Sequence, residues 1–265
     1  MAMELPLQQH PTFGAALGML GTCVKRIEIE GAAPTQLIRR FGVNFAPRGP
    51  IWMNENAQTL RQSSLRIINA ERASDVYKKA GFRQIMTAAH VAELDLRRSD
   101  LPAQMKGKWR NAWRKSQGCK LKLQQTTFDA ARHDWLLKAD LDQQRKKRFR
   151  ALPHSIIHAF AAISPRDVIV LTAKQKNDVV AAMLFLRHGD VATYHLGWTN
   201  DAGRKTNAHY ALLMHATDRL CDTNLTRLDL GTVDTDNAPG LARFKIGSGA
   251  NIRPLGGTWA RLPGL

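Results

Sequence analysis

The pattern of apolar and polar positions predicts alternating helices and strands throughout the chain. In the first half, helical spacing of apolar residues is found at 11–21, 34–42 and 71–80. Segments typical of strands lie at 24–31, 43–53, 58–69 and 81–96. Gly81 follows the third helical segment, where a helix C-terminal cap is expected. The first half is therefore predicted to be mixed α/β.

The second half repeats this alternation after a polar helical stretch at residues 126–150, which contains the basic run Arg145 to Arg150. Further helices are predicted at 154–167 and 207–223, and strands at 167–175, 178–198 and 225–232. The segment 178–198 is expected to form two strands joined by a turn at His-Gly-Asp. Periodicity alone indicates a generic α/β protein.

Length and composition are compatible with two compact halves. A chain of 265 residues with 44% hydrophobic content can form two domains of about 130 residues each. We predict an N-terminal half at 1–125, a basic helical connector at 126–150 and a C-terminal half at 151–265. No stretch approaches the ~18 consecutive apolar residues of a membrane span, and the N-terminus lacks the pattern of a signal peptide. A soluble, cytoplasmic protein is expected.

The formal net charge of +17 indicates a polyanionic partner. The charge is concentrated, since residues 101–150 hold 14 Lys and Arg against 4 Asp, a surplus of +10. Candidate partners are tRNA, a uridine-diphosphate-linked precursor and coenzyme A, with peripheral contact to an anionic membrane as a further option. Three widely separated cysteines give neither a disulfide framework nor a metal knuckle, and no metal site is expected.

Four separated segments resemble the FemAB peptidyltransferases and their relatives with a GNAT-like domain. They are LPLQQHPTFGAALGMLG near the start, PRGP at residues 47–50, MKGKWRNAWRKSQGCKLKL in the middle, and the closing stretch from TRLDLGT through GLARFKIGSG to GGTW. They occur in the family's order and span most of the chain. The resemblance implies two GNAT-like α/β halves packed together, and transfer of an acyl or aminoacyl group to an amine.

The closing stretch is expected to contain the catalytic residues. Amine attack on an ester or thioester forms a tetrahedral oxyanion, which needs a donor or cation beside it and a path for the amine proton. Lys245 matches the lysine that the resemblance implicates in this role, on a predicted strand, with Phe244 packing beside the transferred group. Asp229 is the predicted catalytic carboxylate. The proton acceptor stays open among Asp229, Asp234, Asp236, His195 and the substrate itself.

The binding residues are expected on a basic helix and a rigid turn. Trp109 and Trp113 share one face of the predicted helix, while cations project from the rest of it, namely Lys106, Lys108, Arg110, Arg114 and Lys115. Lys108, Arg110 and Arg114 are predicted to bind substrate phosphates; a solvated amphipathic helix is the alternative. Arg48, held between two prolines, suits capture of phosphate or carboxylate, or pairing with a local acid. His195 is a further candidate for substrate binding.

Arg204 and Lys205 are predicted to contact the acyl donor. They lie where ordinary GNAT enzymes carry an Arg/Gln-x-x-Gly-x-Gly/Ala loop for the coenzyme A pyrophosphate, but the second glycine is missing here. Gly247 and Gly249 are expected to let backbone approach a ligand closely. No tightly bound cofactor is expected, and the donor is aminoacyl-tRNA or acyl-CoA.

The resemblance thus predicts an N-acyltransferase that uses aminoacyl-tRNA or another acyl donor. Its active cleft is expected between Lys245 and the basic helix around Lys108. One alternative is an acyl-CoA-dependent acetyltransferase acting on a small amine or amino sugar. An alternative from another class is a non-catalytic, basic RNA-binding protein on the same scaffold.

Overall fold

A computed structural model describes residues 4–98, 100–148 and 151–261. The chain folds into two compact units. The larger comprises Ala92–Ile252, and the smaller comprises Glu4–Val91 together with the C-terminal segment from Arg253.

The smaller unit contains a six-stranded mixed sheet. Its elements are α1 (Pro11–Met19), β1 (Cys23–Ile27), β2 (Thr35–Arg40), β3 (Val43–Ala46), α2 (Ala57–Gln62), β4 (Ile67–Ala70), α3 (Val76–Lys79), β5 (Arg83–Met86) and, from the end of the chain, β13 (Gly257–Ala260). The strand order is β1-β2-β3-β4-β13-β5. β3 and β4 are parallel, and the C-terminal strand β13 pairs antiparallel with both β4 and β5.

Two predictions for this unit are wrong. Residues 34–42 were expected to be helical but contain β2. The cause is the buried side chain of Gln9, which accepts a hydrogen bond from the amide of Gln36 and donates one to the carbonyl oxygen of Gln36. Residues 58–69, expected to be a strand, begin within α2, whose first turn is capped by the Asn56 side chain. In both places tertiary and capping contacts override the local pattern.

The larger unit contains a seven-stranded mixed sheet flanked by helices. Its elements are β6 (His90–Asp95), α4 (Leu101–Gln104), α5 (Gly107–Gln117), β7 (Leu121–Thr127), α6 (Ala130–Lys147), α7 (Ser155–Ile163), β8 (Val168–Gln175), β9 (Asp178–His188), β10 (Val191–Thr199), α8 (Asp201–Lys205), α9 (Ala208–Cys221), β11 (Arg227–Val233), α10 (Pro239–Gly247) and β12 (Asn251–Pro254). The strand order is β12-β6-β11-β10-β9-β8-β7. β6 and β12 contain the two points at which the chain passes between the units.

The unit boundaries differ from the predicted division at residues 125 and 150. β7 pairs with β8 through seven consecutive residues, and α5 packs on α9, so both elements belong to the larger unit. Residues 130–147 form α6 within the same unit instead of a connector. The predicted boundary cut through a sheet because β7 joins the strands that follow it in sequence.

The core of the larger unit lies between the sheet, α5 and α9. Trp109 of α5 and Leu212 of α9 are buried there with Met183 and Phe185 of β9. The β9–β10 hairpin predicted at His-Gly-Asp is present, and it places β10 beside β11. This packing fixes the strands that border the candidate site.

Candidate active site

A gap between two neighbouring parallel strands defines the site. β10 and β11 pair only from Val191–Thr193 to Arg227–Asp229, although β10 continues to Thr199 and β11 to Val233. We call the region beyond Thr193 and Asp229 the β10–β11 gap. Backbone groups that face such a gap lack a ladder partner on the neighbouring strand, so they can bind a ligand.

A β-bulge shapes the β10 side of the gap. Tyr194 is opposite Phe185 of β9 and Leu196 is opposite Leu184, so His195 is the extra residue. A bulge bends its strand and redirects a side chain. In the register of the parallel pair, His195 and Gly231 lie two residues beyond Thr193 and Asp229, one on each side of the gap.

Lys245 lies on the β11 side of the gap. It is in the last turn of α10, and the predicted strand location is wrong because residues 239–247 form a helix that follows β11. Its side chain is buried, with 6% of its surface exposed. The Nζ atom donates a hydrogen bond of 2.8 Å to the carbonyl oxygen of Thr232. A buried amine is thereby held against the free end of β11.

The protonation of Lys245 is set by burial and by one carboxylate. Burial lowers the pKa of Lys245 to about 8, and the negative charge of Asp229 acts in the opposite direction. Asp229 is itself buried, and its Oδ1 accepts a 2.7 Å hydrogen bond from the amide of Gly231. Gly231 has φ +77°, and a Cβ there would lie 3.7 Å from Lys245 Nζ. Lys245 can therefore gain and lose a proton near neutral pH.

Aromatic side chains join the basic helix to this site. Trp109 of α5 donates its indole N–H to the carbonyl oxygen of Phe244 at 2.9 Å. The Tyr210 ring on α9 lies 5.0 Å from the Trp109 ring and 5.3 Å from the Phe244 ring. The structure thus brings α5 to the residue preceding Lys245.

The glycines after Lys245 have a structural explanation. A Cβ on Gly247 would lie 2.8 Å from Cδ1 of Trp109, so the missing side chain makes room for an indole, where close approach of a ligand was expected. Gly249 has φ +90°, a backbone conformation that favours glycine, and it ends the turn after α10.

The predicted cations of α5 divide into two groups. Lys108 and Arg114 are exposed, as an anion-binding surface requires. Arg110 is half-buried, and its Nη2 donates to the carbonyl oxygen of Met105 at 2.9 Å. This contact ties Arg110 to the turn before its own helix. Substrate binding by the three residues stays a prediction.

Two residues whose charges act on His195 were not predicted from the sequence. His154, which immediately precedes α7, contacts Asp140 of α6 through Nε2 and Oδ2 at 2.8 Å. Burial and, secondarily, the charge of His154 lower the pKa of His195 to about 4, whereas Asp140 raises it. Residues 140, 154 and 195 form no sequence motif, and only the fold brings their charges together.

A family comparison is decisive for this unit. The model of the acetyltransferase (GNAT) domain matches residues 99–245, which is more than half of the chain. The chain belongs to the GNAT acetyltransferase family. It is accordingly an acyltransferase, and the predicted family and enzyme class are confirmed.

Solved structures show that the GNAT fold extends over both units. FemX is 11% identical and has a TM-score of 0.74, with 98% of this chain and 96% of that chain covered. The C-terminal domain of a putative lysylphosphatidylglycerol synthetase from Agrobacterium fabrum is 14% identical and has a TM-score of 0.63, with 97% of this chain and 89% of that chain covered. A tandem GNAT protein from the clavulanic acid biosynthesis pathway is 12% identical and has a TM-score of 0.51, with 90% of this chain and 82% of that chain covered. The predicted mixed α/β, two-domain GNAT-like fold is confirmed, and no curated protein sequence matches the chain.

The predicted donor-binding residues of this GNAT protein lie on α8. Arg204 is exposed and pairs with Asp201 at 2.6 Å, and Lys205 is exposed beside it. The positive charge of Lys146 helps to lower the pKa of Asp201. The positive charges of Arg204 and Lys147 both help to lower the pKa of His209. The end of α6 and the helix α8 therefore contribute to one group of cations, which we call the α6–α8 patch: Lys146, Lys147, Arg204 and Lys205.

This patch is linked to the candidate site through α9. The ring of His209 lies 6.0 Å from that of Phe244, the neighbour of Lys245. Part of the second predicted basic run thus has a defined position. Its last two residues, Phe149 and Arg150, lie outside the described residues.

Two amides of α8 are already hydrogen-bonded within the protein. The amide of Gly203 donates to the side chain of Asn200 at 2.8 Å, and the amide of Arg204 donates to the carbonyl of the same residue at 3.0 Å. The amides of Thr206 and Asn207 also donate to carbonyls within this turn. A pyrophosphate would have to compete with these bonds.

Other predicted residues lie elsewhere. Arg48 belongs to the smaller unit, where it forms a bidentate ion pair with Glu71 at 2.6 and 2.9 Å, and Arg253 contacts the same carboxylate. Its role in substrate binding stays a prediction. Asp234 accepts hydrogen bonds from the amides of Asp236 and Asn237, so it orders the exposed turn before α10.

Two features are absent from the part of the chain that the structure describes. Within residues 4–98, 100–148 and 151–261, no group of three or more His, Cys, Asp or Glu is arranged to hold a metal ion. No helix in the described part of the chain combines the length and apolarity needed to cross a membrane.

Proposed function

We propose that the protein transfers an aminoacyl group from aminoacyl-tRNA to an amine acceptor in the β10–β11 gap. The observation that supports this most directly is the buried amine of Lys245 beside Asp229, where β11 separates from β10. A strongly perturbed titratable group at an opening in a sheet is typical of a catalytic site.

Lys245 acts on the developing negative charge. When the amine attacks the acyl carbon, the carbonyl oxygen becomes an oxyanion, and a cation in a site shielded from water stabilises it strongly. Because its pKa is about 8, protonated Lys245 can also donate a proton to the departing oxygen of the donor ester. Phe244 packs beside the transferred group, and Asp229 keeps Lys245 charged.

The donor is inferred from charge and from backbone bonding. The α6–α8 patch and the exposed cations Lys108 and Arg114 of α5 supply positive charge, which suits a polynucleotide. The amides of Gly203 and Arg204 in α8 are engaged within the protein, which disfavours a coenzyme A pyrophosphate at these two amides. The same fold occurs in FemX and in a protein described as a putative lysylphosphatidylglycerol synthetase, whose named product carries an aminoacyl group.

The proposed reaction also implies a partner, the absence of a bound cofactor and a location. The partner is a polyanionic substrate, and no tightly bound cofactor takes part. A tRNA substrate requires a cytoplasmic location.

A second candidate keeps the site and changes the donor to acyl-CoA. The observation in its favour is the family model, which describes an acetyltransferase domain. The α6–α8 patch would then bind the phosphates of the coenzyme, and the acceptor would be a small amine or amino sugar.

A direct transfer assay tests the two donors against each other. The purified protein is incubated with radiolabelled aminoacyl-tRNA, or with radiolabelled acetyl-CoA, and a low-molecular-weight amine fraction as the acceptor. We expect label to pass from tRNA to an amine with the wild type and not with Lys245→Ala. If the protein transfers label from acetyl-CoA but not from any aminoacyl-tRNA, the tRNA donor is rejected and the second candidate is favoured.

A further inference from the structure

The hairpin between β2 and β3 of the smaller unit carries an exposed phenylalanine at its tip. Phe41 and Gly42 form a two-residue turn, since Arg40 pairs with Val43. Both turn residues have positive φ angles, +49° and +77°, as a tight hairpin turn of this kind requires. The Phe41 side chain is 91% exposed, so it projects from the protein surface.

A second apolar turn lies at the same end of the sheet. Cys23, the first residue of β1, pairs with Arg39 of β2, so the turn that leads from α1 into β1 lies at the end of β2 where the hairpin turn begins. Met19 and Leu20 in this region are 61% and 41% exposed. We call Met19, Leu20 and Phe41 the apolar tips.

Cations surround the same end of the sheet. The amide of Arg66, just before β4, donates to the carbonyl oxygen of Asn44 in β3 at 3.0 Å. The amide of Arg261 donates in turn to the carbonyl oxygen of Arg66 at 2.9 Å. Ala260 of β13 is opposite Arg83, the first residue of β5. The strand ends β4, β13 and β5 therefore each add an arginine.

Two helix ends complete this surface. The guanidinium of Arg261 donates to the carbonyl oxygens of Ser63 and Leu65, which follow α2, at 2.7 and 3.1 Å. Arg61 in the last turn of α2 donates to the carbonyl oxygen of Lys79 in α3 at 2.6 Å. We call the resulting group of cations the basic end: Arg39, Arg40, Arg61, Arg66, Lys78, Lys79, Arg83 and Arg261.

The basic end lacks neutralising carboxylates. In the part of the chain that the structure describes, none of its eight side chains forms an ion pair with an acid. Burial lowers the pKa of Arg261, and the charges of Arg66 and Arg61 lower it further. Gathering like charges in this way costs stability, so a polyanionic partner is the explanation that the charge distribution favours.

Acidic residues lie at the opposite end of the same sheet. Glu28 follows the last residue of β1, which pairs with Thr35 at the start of β2. Glu71 follows the last residue of β4, the end away from Arg66. The smaller unit is thus polarised along its strands, and the apolar tips are at the positive end.

We propose that the basic end and the apolar tips form a docking surface for an anionic phospholipid membrane. Arginine and lysine side chains are attracted to anionic headgroups, while exposed apolar side chains enter the boundary between headgroups and acyl chains. The Arg40 guanidinium lies 5.3 Å from the centre of the Phe41 ring, so both kinds of contact are available at one turn. The aliphatic tips Met19 and Leu20 favour a membrane over a nucleic acid, because phosphate contacts need polar or charged groups.

This surface lies within the smaller unit and does not depend on the donor used in the β10–β11 gap. The test is co-sedimentation of the purified protein with vesicles of phosphatidylcholine alone, or of equal parts phosphatidylcholine and phosphatidylglycerol. We expect binding to the anionic vesicles only, and weaker binding as the salt concentration rises.

Two variants separate the electrostatic and apolar contributions. Arg39→Ala with Arg40→Ala should weaken binding to anionic vesicles by about 30-fold, from about five-fold for each cation near an anionic surface. Phe41→Ser should weaken it by about 10-fold and leave its salt dependence unchanged, since only apolar contact is lost. Thermal unfolding checks that each variant folds; the three substituted side chains are exposed.

A matched control removes two charges from the larger unit. Lys122 of β7 and Arg132 of α6 are exposed, and the double variant Lys122→Ala with Arg132→Ala lowers the net charge by the same amount as the Arg39 and Arg40 variant. It should bind anionic vesicles as the wild type does. Equal losses in the two double variants would assign the binding to net charge and overturn the docking surface.

Two further outcomes would overturn the proposal. One is a wild-type protein that binds neither kind of vesicle. The other is an Arg39 and Arg40 variant that keeps its vesicle binding but loses affinity for tRNA, because the basic end would then serve a nucleic acid. Vesicle binding is measured without acyl transfer, so its failure leaves the proposed function standing, and failure of the transfer assay leaves the docking surface standing.

Discussion

Lys245 donates a 2.8 Å hydrogen bond to the carbonyl oxygen of Thr232, one residue before the end of β11 and beyond the part of that strand that pairs with β10. The lysine thus occupies the edge that the short β10–β11 ladder leaves open. Its pKa of about 8 results from this burial and keeps both of its protonation states accessible in neutral solution. Each consequence of this placement can be measured.

Replacing Lys245 should remove most of the activity. For Lys245→Ala we expect kcat/KM to fall by about 10²–10³-fold, the cost of losing one stabiliser of an oxyanion. Because the charged form is the active one, the wild-type rate should fall as the pH rises through about 8. Lys245→Arg keeps its charge at that pH and should lose this alkaline limb. The measurement is kcat/KM from pH 6.5 to 9, with uncatalysed donor hydrolysis subtracted; an unchanged limb in the arginine variant would contradict the assignment.

The same burial predicts an unusual dependence of stability on pH. The folded-state pKa of Lys245 lies near 8, below the model value of 10.5, so between these values the unfolded chain binds more protons than the folded one. The contribution of Lys245 to the free energy of unfolding therefore increases as the pH rises from about 8 to 10.5. Below pH 8 burial of the ammonium costs on the order of 3 kcal/mol.

Lys245→Met isolates this contribution, since it preserves most of the volume and has no charge. We expect the variant to be more stable than the wild type at pH 7, and the difference to shrink by pH 10. Chemical denaturation at both values measures it. A difference that is the same at pH 7 and pH 10 would mean that Lys245 is not the titrating group.

The fold was largely predictable because most elements carry a clear period. The α9 segment has apolar residues at helical spacing, and β9 is an apolar run buried along most of its length; α9 and the β9–β10 pair were both predicted. β2 was not, because its residues Thr35–Leu37 are buried in succession and not at alternating positions, with the backbone of Gln36 hydrogen-bonded to the distant side chain of Gln9. The unit boundaries escaped for a related reason, since strand pairing partners cannot be read from local periodicity.

The residues of the candidate site were also only partly predictable from the sequence. Lys245, Phe244 and Asp229 lie in one continuous segment of sequence, so a family resemblance could point to them. Asp140 and His154 lie in separate helical regions and meet only in the folded protein. The position of Lys245 on a helix was also missed, because the closing stretch was interpreted as a strand.

The α6–α8 patch should govern affinity for a polyanionic donor. We expect Lys146→Ala with Lys147→Ala to raise donor KM by about 10-fold at physiological salt and to leave kcat nearly unchanged. The slope of log affinity against log salt should decrease by about 0.7–0.9 for each lost phosphate contact. The readout is donor KM as a function of salt concentration.

A matched control removes two equivalent charges elsewhere. Lys78 and Lys79 are adjacent, exposed lysines in the last turn of α3 in the smaller unit, and their double alanine variant lowers the net charge equally. It should keep both the wild-type KM and the wild-type slope. Equal effects of the two double variants would assign the salt dependence to overall charge and not to this patch.

Gly247 provides the last prediction, which concerns the contact between α5 and α10. A Cβ at this position would lie 2.8 Å from Cδ1 of Trp109, so Gly247→Ala must displace the indole that donates to Phe244. Overpacking of this kind costs typically about 1–3 kcal/mol of unfolding free energy. Because Phe244 adjoins Lys245, activity should decrease as well.

Two further variants test the cause. Gly107→Ala is the matched control: nothing lies within 4 Å of its added Cβ, so it should leave stability unchanged or raise it by a few tenths of a kcal/mol. Trp109→Leu in the Gly247→Ala background removes the clashing ring, and denaturation of both single variants and the double variant should show a coupling of about 1 kcal/mol or more. Additive effects would mean that the alanine is accommodated without moving Trp109, and the contact between α5 and α10 would then tolerate a side chain at residue 247.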